Sequence, residues 1–238
     1  MVIIREESKF EFETKVVNNR DSFILNVVRF ILNYLTRFSI AGIVVYVCWI
    51  AIRNYHYWFS WHVILCTFGY LPLMAESIML FLSDEVWATQ ISRTAKYTVH
   101  GILISVGTVM IISGDSIVFH YITPGYHLYT AHGITGFVSM ICIILSIPVG
   151  IAVKYLRNIK HYLPLSSAGC KFVHNILGIL GYGIGIMSLC FAFYTNWFVY
   201  YTEYESRILA LTVTILAAAW TMNGAVVSLY HQMKSLIF

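Results

Sequence analysis

Six apolar stretches, each near the length of a membrane crossing, limit what this chain can fold into. They run at about 33–53, 58–82, 97–119, 128–152, 172–195 and 207–231. An α-helix needs ~20 such residues to cross a ~30 Å hydrocarbon core. In lipid every backbone N–H and C=O must be satisfied within the structure, so the stretches are expected to be helices. The ~10-residue alternating pattern of a membrane β-strand is not seen. Connections are short, and charged residues make up only 11% of the chain, against roughly 25% in a soluble domain. The expected fold class is all-α: a six-helix transmembrane bundle with a four-helix core. The first span is the least clean, with Arg29, Asn33 and Arg37 along its mouth. Pro72 is expected to kink the second span, because its ring removes a backbone hydrogen bond and crowds the preceding turn.

Lys and Arg set the orientation. Arg5, Lys9, Lys15, Arg20, Arg29, Arg37, Arg93, Lys96, Lys154, Arg157, Lys160, Lys171 and Lys234 fall on one side, and only Arg53 and Arg207 on the other. Both termini are therefore expected to be cytosolic. The expected parts are a cytosolic N-terminal segment, 1–32, a membrane domain, 33–233, and a cytosolic tail, 234–238. Residues 1–22 are polar and of mixed charge, which reads as a partly disordered tail rather than a cleavable signal. The net charge of +4 reflects the topological bias and not a nucleic-acid surface.

Four histidines then stand out. His62, His100, His132 and His174 each lie near the start of four consecutive spans. An ionisable side chain within a membrane costs several kcal/mol and is usually functional. Because successive spans run in opposite directions, His62 and His132 belong to the outer side, and His100 and His174 to the inner side. Two histidines facing each other across an apolar bundle suit a haem. At a rise of 1.5 Å per residue the two layers should be roughly 15–20 Å apart. Zinc or copper is the competing occupant, but each layer is expected to offer two histidines with no cysteine or carboxylate at its depth. Four of the five cysteines, Cys48, Cys66, Cys142, Cys170 and Cys190, fall within spans. With no C-x-x-C-H motif, a haem would be held without thioether links. Gly101, Gly133, Gly136, Gly178, Gly181, Gly183 and Gly185 cluster around the histidines; they permit close approach of a flat ligand or of another helix.

These segments resemble the cytochrome b561 family, within it the short, single-domain members. The resemblance rests on Phe59-Ser60-Trp61-His62, Leu73-Met74-Ala75-Glu76, Lys96 to His100, His127 to Gly133 and Lys171 to Gly178, and covers about 35–233. It implies that the four histidines ligate two non-covalent b haems, paired as the span directions pair them. It also implies electron transfer from cytosolic ascorbate to monodehydroascorbate or ferric chelates on the far side. The other expected partners are membrane lipid and a second copy of the chain, in an endoplasmic reticulum or vesicle membrane. The chain departs from the family at Val63, where many members have proline, and at Gly101, where many have tryptophan. His132-Gly133-Ile134-Thr135-Gly136 stands in place of His-Ser-Trp-Leu-Gly.

Ascorbate is an anion, so its mouth should be basic. Arg93, Lys96 and Lys171 precede the inner histidines by about one or two turns, and the resemblance gives them a substrate-binding role beside plain topological anchoring. At the outer mouth the resemblance points to His120. Glu76 is expected to tune the inner haem, to relay a proton, or simply to be hydrogen bonded near a helix end. Asn223 reads as interhelical glue, and His161 and His231 as surface residues. Two other classes stay open. One is a haem-binding sensor without turnover. The other is a transporter, which internal inverted repeats would favour; none is clear.

Overall fold

A computed structural model describes residues 2–82, 90–124, 126–159 and 166–237, with the side chains of 23–82, 90–124, 126–155 and 166–235. Lys160 and His161 lie outside the described residues. Among those described there is no strand. The helices are α1 (Val2–Arg53), α2 (Tyr57–Phe68), α3 (Ala75–Met79), α4 (Arg93–Tyr121), α5 (Ala131–Ile159), α6 (Ser167–Ala192), α7 (Asn196–Tyr201) and α8 (Tyr204–Ile237). Among the described residues six segments are long and apolar enough to cross a membrane: Phe23–Arg53, Tyr57–Met79, Arg93–Tyr121, Ala131–Tyr155, Ser167–Ala192 and Tyr204–Ser235. They match the six expected spans, and the protein is an integral, multi-pass membrane protein.

Two details differ from expectation. The N-terminal residues are not a coil: α1 runs unbroken from Val2. The chain has no glycine before Gly42 and no proline before Pro72, so nothing stops the helix. The second span is not simply kinked. Between α2 and α3 the backbone widens into a π-type turn, Gly69–Met74, which contains Pro72. A π turn carries one extra residue within an otherwise regular helix.

Spans two to five form the core, arranged as two antiparallel hairpins. Spans two and three pack closely at Gly69 and Gly107, where a Cβ on Gly69 would stand 2.9 Å from the Gly107 carbonyl oxygen. Spans four and five meet where a Cβ on Gly181 would stand 2.8 Å from Ile143 Cγ1. Between the hairpins the Tyr70 hydroxyl lies 2.7 Å from Ser139 Oγ, and Gly185 leaves room for the Tyr70 ring. Ser139 in turn donates to the Gly181 carbonyl. The midplane is thus closed by small residues and one tyrosine.

Spans one and six flank this core. Buried Asn33 accepts a 2.8 Å hydrogen bond from Trp220 Nε1, and Tyr46 donates to Ser206 at 2.8 Å. Arg37 meets Glu76 through Nε at 2.6 Å and Nη2 at 3.0 Å. Asn33 and Arg37, two of the polar residues at the mouth of the first apolar stretch, are therefore attachments of this span. Glu76 is paired with Arg37. Asn223 is exposed; the link between spans five and six is made by Asn175, which donates to the Ala225 carbonyl at 3.2 Å.

Candidate functional site

The antiparallel hairpins bring the four histidines into two layers. In the first layer the His62 and His132 rings are 6.0 Å apart between centres and inclined at 73°. In the second, His100 and His174 are 6.1 Å apart and inclined at 81°. These are the two pairs expected from span direction.

Each ring is held by the neighbouring helix of its own hairpin. His62 Nδ1 meets the Gly114 carbonyl at 3.1 Å, and His100 Nδ1 meets the Ser77 carbonyl at 3.1 Å. His132 Nδ1 meets the Ser188 carbonyl at 2.9 Å, and His174 Nδ1 the Ser146 carbonyl at 3.1 Å. A carbonyl can only accept, so each Nδ1 carries the proton. The Nε2 lone pair is then left for a ligand, the usual arrangement behind a metal-bound imidazole.

The partner positions follow a rule. Gly114, Ser146 and Ser188 each lie fourteen residues beyond the histidine of their own helix, while Ser77 lies fifteen beyond His62. The extra residue is the one that the π turn inserts. Fourteen residues at 1.5 Å span about 21 Å, slightly more than the expected layer separation. Ser77, Ser146 and Ser188 also place Oγ at 2.6, 3.1 and 3.0 Å from the imidazole Nδ1 they serve. Ser188 further donates to the His132 carbonyl at 2.8 Å.

Gly114 breaks the pattern, because it has no hydroxyl. At this corner the side of the His62 ring is occupied by Cys66 Sγ, 3.6 Å from Nδ1, and Asp115 Oδ1, 3.7 Å from it. Cys66 donates to Asp115 at 3.5 Å. The expectation that neither layer holds a cysteine or carboxylate is corrected here. Cys66 lies one turn beyond His62, and the reversed direction of α4 brings Asp115 to the same depth. Together the three offer ligand atoms within 4.8 Å of one another. The shared nitrogen is Nδ1, however, which faces the Gly114 carbonyl and not the space between the paired rings.

The residues fit a haem. Metal–imidazole bonds of about 2.0 Å place two facing ring centres roughly 6 Å apart, the separation seen in both layers. The first layer borders a cavity of about 320 Å³ whose walls include His62, His132, Gly136, Phe59 and Trp197. Trp197 Nε1 is buried there without a partner, a donor that a ligand bearing an acceptor would satisfy. At the second layer, Gly178 follows His174 by one turn on the same helix face, and a Cβ on it would meet nothing within 4 Å. A flat macrocycle needs such space. The same holds at Gly101, whereas Gly181, Gly183 and Gly185 pack against Ile143, Met222 and Tyr70.

The mouths differ in charge. Beside the second layer, Arg93 is exposed and donates from Nε to the Tyr97 hydroxyl at 2.9 Å. Lys96 is half-buried one turn before His100, and Lys171 is exposed one turn before His174. No hydrogen bond joins these three to one another among the described residues. Lys154 joins this end, its Nζ 3.4 Å from Thr98 Oγ1. Beside the first layer, His120 is exposed at the end of α4 with its ring 4.8 Å from Tyr121. Of His120 and His127, the one that reaches the cavity wall is His127, stacked on Phe119 at 4.9 Å. Leu128, also in this wall, has a positive φ of 55°.

Two apposed imidazole pairs in an apolar helical bundle are the arrangement that a membrane cytochrome with paired axial ligands requires. The chain belongs to the eukaryotic cytochrome b561 family, whose model matches residues 61–199, a stretch that contains all four histidines. Members of the family bind haem, and transmembrane electron transfer is the class of function that membership gives the chain. The chain is also similar to proteins named transmembrane reductase CYB561D2. Those of Mus musculus and Homo sapiens are each 26% identical, and that of Bos taurus 25%, over 167 residues. The matched part is 69% of this chain and 74% of each relative. No solved structure matches.

Proposed function

We propose that the chain is an ascorbate-dependent transmembrane oxidoreductase. In this reading His62 and His132 hold one b haem, and His100 and His174 hold a second. When bound, the haem pair supplies one-electron redox states at both ends of the bundle. The chain's own residues do the rest. Gly114, Ser77, Ser188 and Ser146 fix each imidazole tautomer and orientation. Tyr70, Ser139 and the midplane glycines keep water out of the space between the layers. Arg93, Lys96 and Lys171 raise the local concentration of an anionic donor at the second layer.

The bias of Lys and Arg makes the second layer the cytosolic one, with both termini on that side. Ascorbate is then the donor there, and monodehydroascorbate or a ferric chelate the acceptor at the first-layer mouth, near His120 and His127. Similarity to proteins named transmembrane reductases supports a reductase. The observation that carries the reading is the ring separation in both layers, combined with Nδ1 protons turned away from the gap.

Pyridine haemochromogen analysis of the purified protein should give two haems per chain, extractable by acidified acetone, and ascorbate should reduce them rapidly. One haem per chain, or none, overturns the ligand assignment. Two haems that ascorbate does not reduce would instead favour a haem-binding sensor.

A further inference from the structure

The four imidazoles are not held alike. Three have a serine whose carbonyl and hydroxyl both face Nδ1, at 2.6 to 3.1 Å. His62 has Gly114, which offers a carbonyl alone. A serine would not fit, since a Cβ at 114 would stand 2.7 Å from Cys66 Sγ. The position of the missing hydroxyl is taken by the Cys66–Asp115 pair. The side chains of His62 and Asp115 are only 12% and 16% exposed, so their interaction is weakly screened. Among the described residues Arg53 and Arg207 are the cations on this side of the bundle. Arg207 is turned toward the Thr202 carbonyl, to which it donates at 2.7 Å.

Resting on the haem reading above, we infer that Asp115 is a positioning residue that makes the first-layer haem the lower in reduction potential of the two. A carboxylate behind a ligand imidazole raises the basicity of that ligand. It also places negative charge near the iron, and both effects favour the oxidised state. Among the described residues no carboxylate lies within ion-pair distance of His100 or His174, and Glu76 on span two is held by Arg37. Cys66 moderates the effect, because its thiol donates to the same carboxylate oxygen that faces His62.

The experiment is a spectroelectrochemical titration of the full-length, haem-loaded protein at one fixed pH, with haem content measured in parallel. Asp115→Asn keeps the shape and removes the charge. The expected result is about a tenfold shift of one haem toward its reduced form, about 59 mV for one electron, with the other haem unmoved. Cys66→Ala should move the same component the opposite way, because the carboxylate loses its competing donor. Asp115→Glu should return most of the wild-type value. Unmoved potentials in Asp115→Asn with two haems present overturn the inference, as does an equal shift of both components. If Asp115→Asn fails to retain haem, Cys66→Ala decides: a fall in one potential supports the assignment, and no change refutes it. Wild-type protein with fewer than two haems would instead overturn the haem reading itself.

Discussion

Gly150 offers the sharpest test of how the second layer is built. It lies one turn beyond Ser146, whose carbonyl and hydroxyl hold His174. A Cβ at this position would stand 2.8 Å from His174 Cε1 and 3.2 Å from Nδ1. Non-bonded carbons settle at about 3.5 Å or more, so Gly150→Ala requires the ring or its helix to retreat by roughly 0.7 Å. That exceeds the tolerance of about 0.5 Å within which a ligand constellation works. Overpacking of this kind costs about 1–3 kcal/mol, and disturbing the groups behind a ligand costs about 10–100-fold in affinity. The first layer lies about 21 Å away along the helices and acts as an internal control. Purified Gly150→Ala should therefore fall from two haems toward one per chain in a pyridine haemochromogen assay. A redox titration should lose or displace one component and keep the other. Two haems with wild-type potentials and spectra would refute the idea that the bare backbone at 150 sets the place of His174.

Other outcomes follow from the same geometry. His100→Ala or His174→Ala should remove one spectral component and His62→Ala or His132→Ala the other; a shared loss in His62→Ala and His100→Ala would break the pairing. Ser77→Ala should change the electron paramagnetic resonance signature of the second-layer haem, because His100 Nδ1 loses its hydroxyl partner. Deleting Leu73 should leave that signature in place, since Ser77 then falls fourteen residues beyond His62, like its three counterparts; a signature lost on this deletion would refute the register rule. Lys96→Glu with Lys171→Glu should slow reduction by ascorbate but not by a neutral donor, and added salt should slow the wild type; equal slowing with both donors would point to a damaged fold. Arg37→Met strands the Glu76 carboxylate between spans one and two and should lower thermal stability in detergent by about 1–3 kcal/mol, with Arg37→Met plus Glu76→Leu recovering part of the loss.

Much of this protein was legible before any coordinates. Apolar length alone gives six spans, because lipid leaves a polypeptide few ways to satisfy its backbone. The alternation of span direction then sorts His62 with His132 and His100 with His174, since depth depends only on counting residues from a helix end. Pro72 marked the irregular turn, though not that the turn would add a residue. Rotation about each helix axis is different. It is set by side-chain packing between helices, which a count of residues does not reveal. Rotation decides that Asp115 and Cys66 stand beside His62, that Glu76 turns to Arg37, and that His127 rather than His120 reaches the cavity wall. The fourteen-residue step from each histidine to the carbonyl that serves its neighbour was present in the sequence. It acquires meaning only once antiparallel helices lie side by side, because a hydrogen bond between helices depends on two chain segments and on the register the π turn sets between them.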